Sequence, residues 1–158
     1  NMSVQTRGKN EYIKMLADGT LASMNAVIPM DFETESSLHV KEELDIQFGV
    51  LVGFTGDIKG KVILKANTSV FSSIGEKMFG MPLEGEMLSS FSGELGNMIA
   101  GGISTNIAGE GIKTDITAPT VMRGDTTLFG FNQAWMIDVS FQEIGNMDIY
   151  LIIDQIIM

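Results

Sequence analysis

Three observations predict an α+β fold for these 158 residues, an antiparallel β-sheet packed by about three helices. Apolar side chains alternate with polar or small ones in two stretches, one before and one after the middle of the chain. In three other stretches they recur at helical spacing. Strands and helices are grouped rather than alternating one for one, which argues against a βαβ repeat. With 44% hydrophobic and 19% charged residues the chain can bury a core, and its length suits one domain.

The first helix is expected over Asn10 to Ile28, where Ile13, Leu16, Met24, Val27 and Ile28 fall at roughly helical spacing. Gly19 weakens its middle and Pro29 stops it. Met30 to Leu38, polar and acidic, reads as a loop, and the charges of Asp31 to Glu35 and Lys41 to Asp45 as solvated loop and strand-entry charges. Leu44, Ile46, Phe48, Val50, Val52 and Phe54 then alternate, Thr55-Gly56-Asp57 turns, and Val62, Leu64 and Ala66 return as a hairpin with one buried face. Asn67, Thr68 and Ser69 offer N-caps for a second helix carrying Val70, Phe71, Ile74, Met78 and Phe79, closed by Gly80. A third helix is expected from Gly85 to Gly109. Asp115 to Met122, interrupted by Pro119, reads as an edge or broken strand. Thr126 to Phe141 and Met147 to Ile153 read as a second hairpin turning through Glu143-Ile144-Gly145-Asn146.

Composition removes several function classes. Zero Cys excludes disulfide scaffolds and cysteine metal sites and suits a reducing cytoplasm. The single His, His39, would have to carry any zinc site or Ser-His-Asp triad alone; it reads as a surface residue at a strand start with no role. Ten Lys and Arg against twenty Asp and Glu give a net charge of −10 with no basic cluster, so neither a nucleic acid nor a membrane is an expected partner. No apolar run approaches the ~18–20 residues that span a bilayer and no signal peptide is read at the start, so a cytoplasmic location is expected. Asn1 ahead of Met2 reads as vector-derived, which puts the expected single domain at 2–158.

The third helix carries the chemistry. Around Leu95, the side chains of Leu88, Phe91, Met98, Ile99 and Ile103 form one apolar stripe. The other face holds Ser90, Gly93, Glu94, Asn97, Gly101 and Ser104, with Glu94 and Asn97 its only large polar groups, one turn apart. Glycine costs about 1 kcal/mol in a helix interior relative to Ala, and four of them, Gly93, Gly96, Gly101 and Gly102, fall within ten residues. Such a face lets another surface approach closely, either that of a second molecule or another part of this chain. An amide can hold and orient a water molecule, and a carboxylate can pair with a partner's lysine. No further base stands three or four residues from this pair, so any catalysis here completes a site that a partner brings.

These residues resemble a known family. Ser90-x-x-x-Glu94-x-x-Asn97, followed by Pro119, is similar to the signature of the CheC/CheX chemotaxis phosphatases. The words Glu94-Leu95-Gly96-Asn97-Met98-Ile99-Ala100-Gly101 and Asp115-Ile116-Thr117-Ala118-Pro119-Thr120-Val121 are especially CheX-like, and one signature copy favours that branch. Glu143-Ile144-Gly145-Asn146 repeats the tetrad in an expected turn and reads as a chance copy. The resemblance implies hydrolysis of the aspartyl phosphate of a response-regulator receiver of the CheY kind. It makes Asn97 the group that orients the attacking water and Glu94 the group that pairs with a receiver lysine. Ser90, Gly93, Gly101 and Ser104 become partner-facing positions and Pro119 a supporting constraint. Mg²⁺ is expected on the receiver, with no metal ligand or bound cofactor in this chain, and a homodimer joined at a sheet edge is implied.

Other readings compete. A non-catalytic receiver-binding module of the same fold, related to flagellar switch proteins, would have no need of the Glu94–Asn97 pair. The 12 Met could serve a small-molecule sensor, although Met usually fills cores. Trp135 reads as core or sheet packing, or as part of a dimer seam.

Overall fold

The computed structural model describes residues 8–157. In chain order these form α1 (Lys9–Val27), β1 (Phe32–His39), β2 (Leu44–Gly56), β3 (Ile58–Ala66), α2 (Thr68–Phe79), α3 (Gly85–Ala108), β4 (Thr114–Ile116), β5 (Thr120–Leu128), β6 (Ala134–Phe141) and β7 (Gly145–Ile156). The reading of Asn1 as vector-derived and of a domain start at Met2 lies outside the described residues. The seven strands make one antiparallel sheet in the order β1-β6-β7-β3-β2, and β4 and β5 share the outer edge of β2. All three helices pack on one face, closing a core that includes Leu16, Met24, Val50, Val52, Phe71, Leu95 and Ile103. The expected α+β class is the observed one.

Local chemistry accounts for most element ends. α1 stops at Ile28, ahead of Pro29, with the Ile28 N–H donating to Met24 O at 2.8 Å. Asn67 occupies the N-cap position of α2 but makes no side-chain cap bond; Val70 N–H reaches its carbonyl at 3.0 Å. Gly80 ends α2 in the left-handed region at φ +77° and donates to Glu76 O at 2.7 Å, as Gly after a helix does.

Three expectations need correction. Met30 to Leu38 is not a loop, because Phe32–His39 forms β1, paired along its length with β6. Its outer edge is unpaired among the described residues and its side chains are mostly exposed, so the strand carries no apolar alternation to read. Thr126 to Leu128 does not lead into β6; it ends β5, which pairs with β2, and the second hairpin is β6–β7 alone. His39 closes β1 rather than starting a strand, and it is half-buried, its ring edge-on to Tyr150 at 5.4 Å with Nε2 3.0 Å from Glu43 O. Trp135, by contrast, packs half-buried against the helix-side core as expected.

Candidate functional site

The site is built on α3, and small residues set how closely that helix lies on the rest of the chain. A Cβ on Gly96 would stand 2.6 Å from Val50 Cγ1, so the helix rests directly on β2. A Cβ on Gly102 would collide with Ser23 Oγ, which itself donates to Ile99 O at 2.8 Å and ties α1 to α3. Gly93 is buried, with its Cβ position 3.4 Å from Val121 Cγ2 and 3.7 Å from Pro119 Cγ. The sequence leaves open whether these glycines admit another molecule or this chain itself. For Gly96 and Gly102 the answer is this chain, and Gly93 is buried against it with ordinary contact room for a Cβ. Gly93, expected against a partner, therefore lies beneath the surface as part of the internal packing.

What remains outward is a narrow stripe. Ser90, Glu94, Asn97, Gly101 and Ser104 recur at alternating spacings of four and three, which keeps them within roughly 80° around the helix axis. Ser90 and Glu94 are exposed; Asn97, Gly101 and Ser104 are half-buried. Neither Glu94 nor Asn97 has a hydrogen-bond or ion-pair partner among the described residues. Ser104 is occupied internally, its hydroxyl donating to Thr114 O at 2.9 Å and lying 2.7 Å from Thr114 Oγ1, which anchors the end of α3 to β4. The expected apolar stripe on the opposite side is present: Leu88, Phe91, Leu95, Ile99 and Ile103 are buried and Met98 half-buried.

Two features flank the polar stripe. On one side runs the break between β4 and β5. Thr117 bridges it to β2 by its backbone N–H to Gly53 O and by accepting Gly53 N–H on Oγ1, both at 2.9 Å. Pro119 follows, half-buried beside Gly93, the residue that precedes Glu94. The other side opens into a groove of about 810 Å³ between the end of α2 and α3, lined by Phe79, Met81, Met87, Phe91, Ser90 and Glu94 among others. The sequence counts Phe79 with the apolar residues of α2, yet it is 61% exposed. Its position beside Gly80, with Met81 following, is the one local hint that it does not enter the core. Among the described residues no three His, Cys, Asp or Glu groups gather as a metal site, and no helix is long and apolar enough to cross a membrane.

The model of the chemotaxis phosphatase CheX family matches residues 48–138, which run from within β2 into β6 and include all of α3 and Pro119. The chain belongs to the CheX family of chemotaxis phosphatases. Along 136 residues it is 26% identical to the CheY-P phosphatase CheX of Thermotoga maritima, covering 84% of this chain and 86% of that protein. Among solved structures, the chemotaxis protein CheX of Desulfovibrio desulfuricans superposes with a TM-score of 0.77 at 15% identity, covering 91% of this chain and 99% of that one. A CheX from Borrelia burgdorferi, solved in complex with CheY, BeF3 and Mg²⁺, superposes at 0.75 with 20% identity over 91% of this chain and 98% of that one. At these identities the two structures establish the fold. In this CheX-family protein the Glu94–Asn97 stripe lies on the long helix α3.

Proposed function

We propose that this CheX-family protein hydrolyses the aspartyl phosphate of a CheY-like receiver, with Asn97 orienting the attacking water and Glu94 pairing with a lysine of the receiver. The observation that carries the reading is the unpartnered Glu94–Asn97 pair, aimed outward from a helix held rigidly on the sheet. A carboxylate and an amide without internal partners are available to a second molecule, and side chains three apart on a helix reach the same small volume. Phosphoryl transfer to water asks mainly for positioning and charge neutralisation, both of which such a face can complete.

In this reading Glu94 docks first, as a charge-assisted contact that fixes the orientation of the two proteins. Asn97, half-buried and so restrained, then lies beside the phosphoryl group. Its amide oxygen accepts a hydrogen bond from the water, holding one lone pair in line with the bond to be broken. Water oxygen bonds to phosphorus as the bond to the receiver carboxylate breaks, releasing inorganic phosphate and the free carboxylate. The receiver's Mg²⁺ supplies neutralisation of the phosphoryl oxygens. Ser90 and Gly101, outward on the same stripe, contact the receiver, and Pro119 holds the β4–β5 break against α3.

The same reading makes the chain a single CheX-like domain, cytoplasmic, and a homodimer. The edge of β1, eight residues long and unpaired on its outer side among the described residues, is the edge offered for such a dimer. The deciding experiment is phosphate release from a phosphorylated CheY-like receiver with Mg²⁺. Wild type should accelerate it and Asn97→Ala should remove the acceleration while keeping the complex. Binding by wild type without faster phosphate loss would make the protein a receiver-binding module instead.

A further inference from the structure

We propose that the groove beside Glu94 selects among receivers by taking an apolar side chain, flanked by a basic residue, from the rim of the receiver's phosphorylation site. This rests on the receiver-phosphatase reading above. Seven large hydrophobic side chains are exposed among the described residues, and three of them, Phe79 (61%), Met81 (53%) and Met87 (59%), converge on this groove. A contiguous apolar patch exposed in this way marks a contact surface, whereas single scattered residues do not.

The groove is built rather than loose. Gly80 and Gly85, at φ +77° and +61°, bracket the segment that joins α2 to α3. Between them Leu83 is buried, and its carbonyl accepts Ser72 Oγ at 2.8 Å. Phe79 stands edge-on to Phe91 at 5.7 Å, so the floor is an aromatic pair already in place. Leu83 and Phe91 join this lining to the core, while Phe79, Met81 and Met87 stay exposed along it.

Position and charge indicate the occupant. Ser90 and Glu94 line both the groove and the polar stripe, so a receiver seated on Glu94 and Asn97 necessarily overhangs the groove. Among the described residues, Glu86 and Glu94 are the charged residues of its lining, and no basic residue lines it. The matching element on the receiver is therefore apolar with a basic neighbour. Met81, Met87 and Met98 give the walls unbranched, polarisable side chains that repack around related shapes, which suits choice among similar receivers.

The test is titration calorimetry with a panel of CheY-like receivers charged with beryllofluoride and Mg²⁺, comparing wild type with Met81→Asp, Met87→Asp, Met87→Leu and Phe129→Asp. Each groove carboxylate is expected to raise Kd at least tenfold, as loss of a central apolar anchor does, while Met87→Leu stays within about threefold. Phe129, 72% exposed and outside the groove, should tolerate Asp without change in Kd. Groove variants that bind like wild type, or a Phe129→Asp that weakens binding equally, overturn the proposal. Wild type that binds a receiver without hastening its dephosphorylation sinks the phosphatase reading but leaves the groove test readable. Wild type that binds no receiver of the panel sinks both.

Discussion

Glu-x-Gly-Asn occurs twice in this chain, as Glu94-Leu95-Gly96-Asn97 in the middle of α3 and as Glu143-Ile144-Gly145-Asn146 across the β6–β7 turn. On the helix, Glu94 and Asn97 stand one turn apart on one face and neither is bonded among the described residues. In the turn, Glu143 adopts φ +67° and Gly145 φ +130°, and the chain reverses between the two polar residues. Asn146 is then committed, its Nδ2 donating to Asp138 Oδ1 at 3.0 Å across the strand pair. Even the glycines serve different ends. Gly96 is bare because β2 lies against it, and Gly145 because its backbone is where L side chains rarely go. The same four residues thus make a free outward pair on one backbone and a closed structural turn on another. Spacing becomes a site only when the backbone keeps both side chains together and the chain leaves them unsatisfied.

That contrast can be broken or sharpened by parallel substitutions in the two copies. The largest effect is expected from Asn97→Ala, which should slow receiver dephosphorylation by about 10²–10³, the usual loss for one pre-organised polar group. Asn146→Ala should leave the phosphate-release rate as it is, and equal losses would erase the distinction between the copies. Next come the two glycines, each expected to cost about 1–3 kcal/mol as Ala in denaturant unfolding, for different reasons. In Gly96→Ala the new Cβ meets Val50 Cγ1 at 2.6 Å, so adding Val50→Ala should show a coupling that partly restores stability. Val50→Ala should not rescue Gly145→Ala, whose strain lies in its own backbone. Glu94→Gln should weaken receiver binding by about tenfold, as loss of a charge-assisted contact, with the loss shrinking at high salt. Glu143→Gln should not change binding.

The smallest effect concerns the acids beside the second copy. Burial, then the facing Asp138 carboxylate, holds the Asp148 carboxyl above the usual carboxylate range, with Lys65 opposing. The folded protein therefore keeps that proton to higher pH than the unfolded chain. Stability from this group is lost as pH rises from about 4, the unfolded value, through the raised folded value. Asp148→Asn should raise thermal stability at pH 7 by an amount below about 1 kcal/mol, the scale of like charges facing across strands. The gain should fade below pH 4. A gain that instead grows with acid would assign the wrong sign.

Legibility in the sequence followed from how local the cause was. The hairpin of β2 and β3, the ends of α1 and α2, and the apolar stripe of α3 rest on periodicity and on Pro29 and Gly80, all readable within a few residues. β1 was hidden because an edge strand exposed along most of its length needs no apolar alternation. Thr126 to Leu128 reads locally as the start of the β6 strand because pairing partners are chosen by the whole sheet, here with β5 returning to the edge of β2. Glu94 and Asn97 were legible as a pair. The groove was not, since Phe79, Met81 and Met87 come from a helix end, a connecting segment and a second helix, and only packing brings them beside Glu94.

By itself, then, the sequence determined an α+β chain, a long helix with one apolar stripe, and a carboxylate and an amide one turn apart on its other side. Those are consequences of helical and strand periodicity, which act over a turn or two. Tertiary structure decided which small residues face the chain's own sheet and which face outward. It packed Gly93, Gly96 and Gly102 against β5, β2 and α1 and left the stripe from Ser90 to Gly101 open. It also opened the apolar groove at one flank of that stripe. The reason is that burial is a property of pairs of surfaces distant in sequence, and no single segment records the surface it will meet.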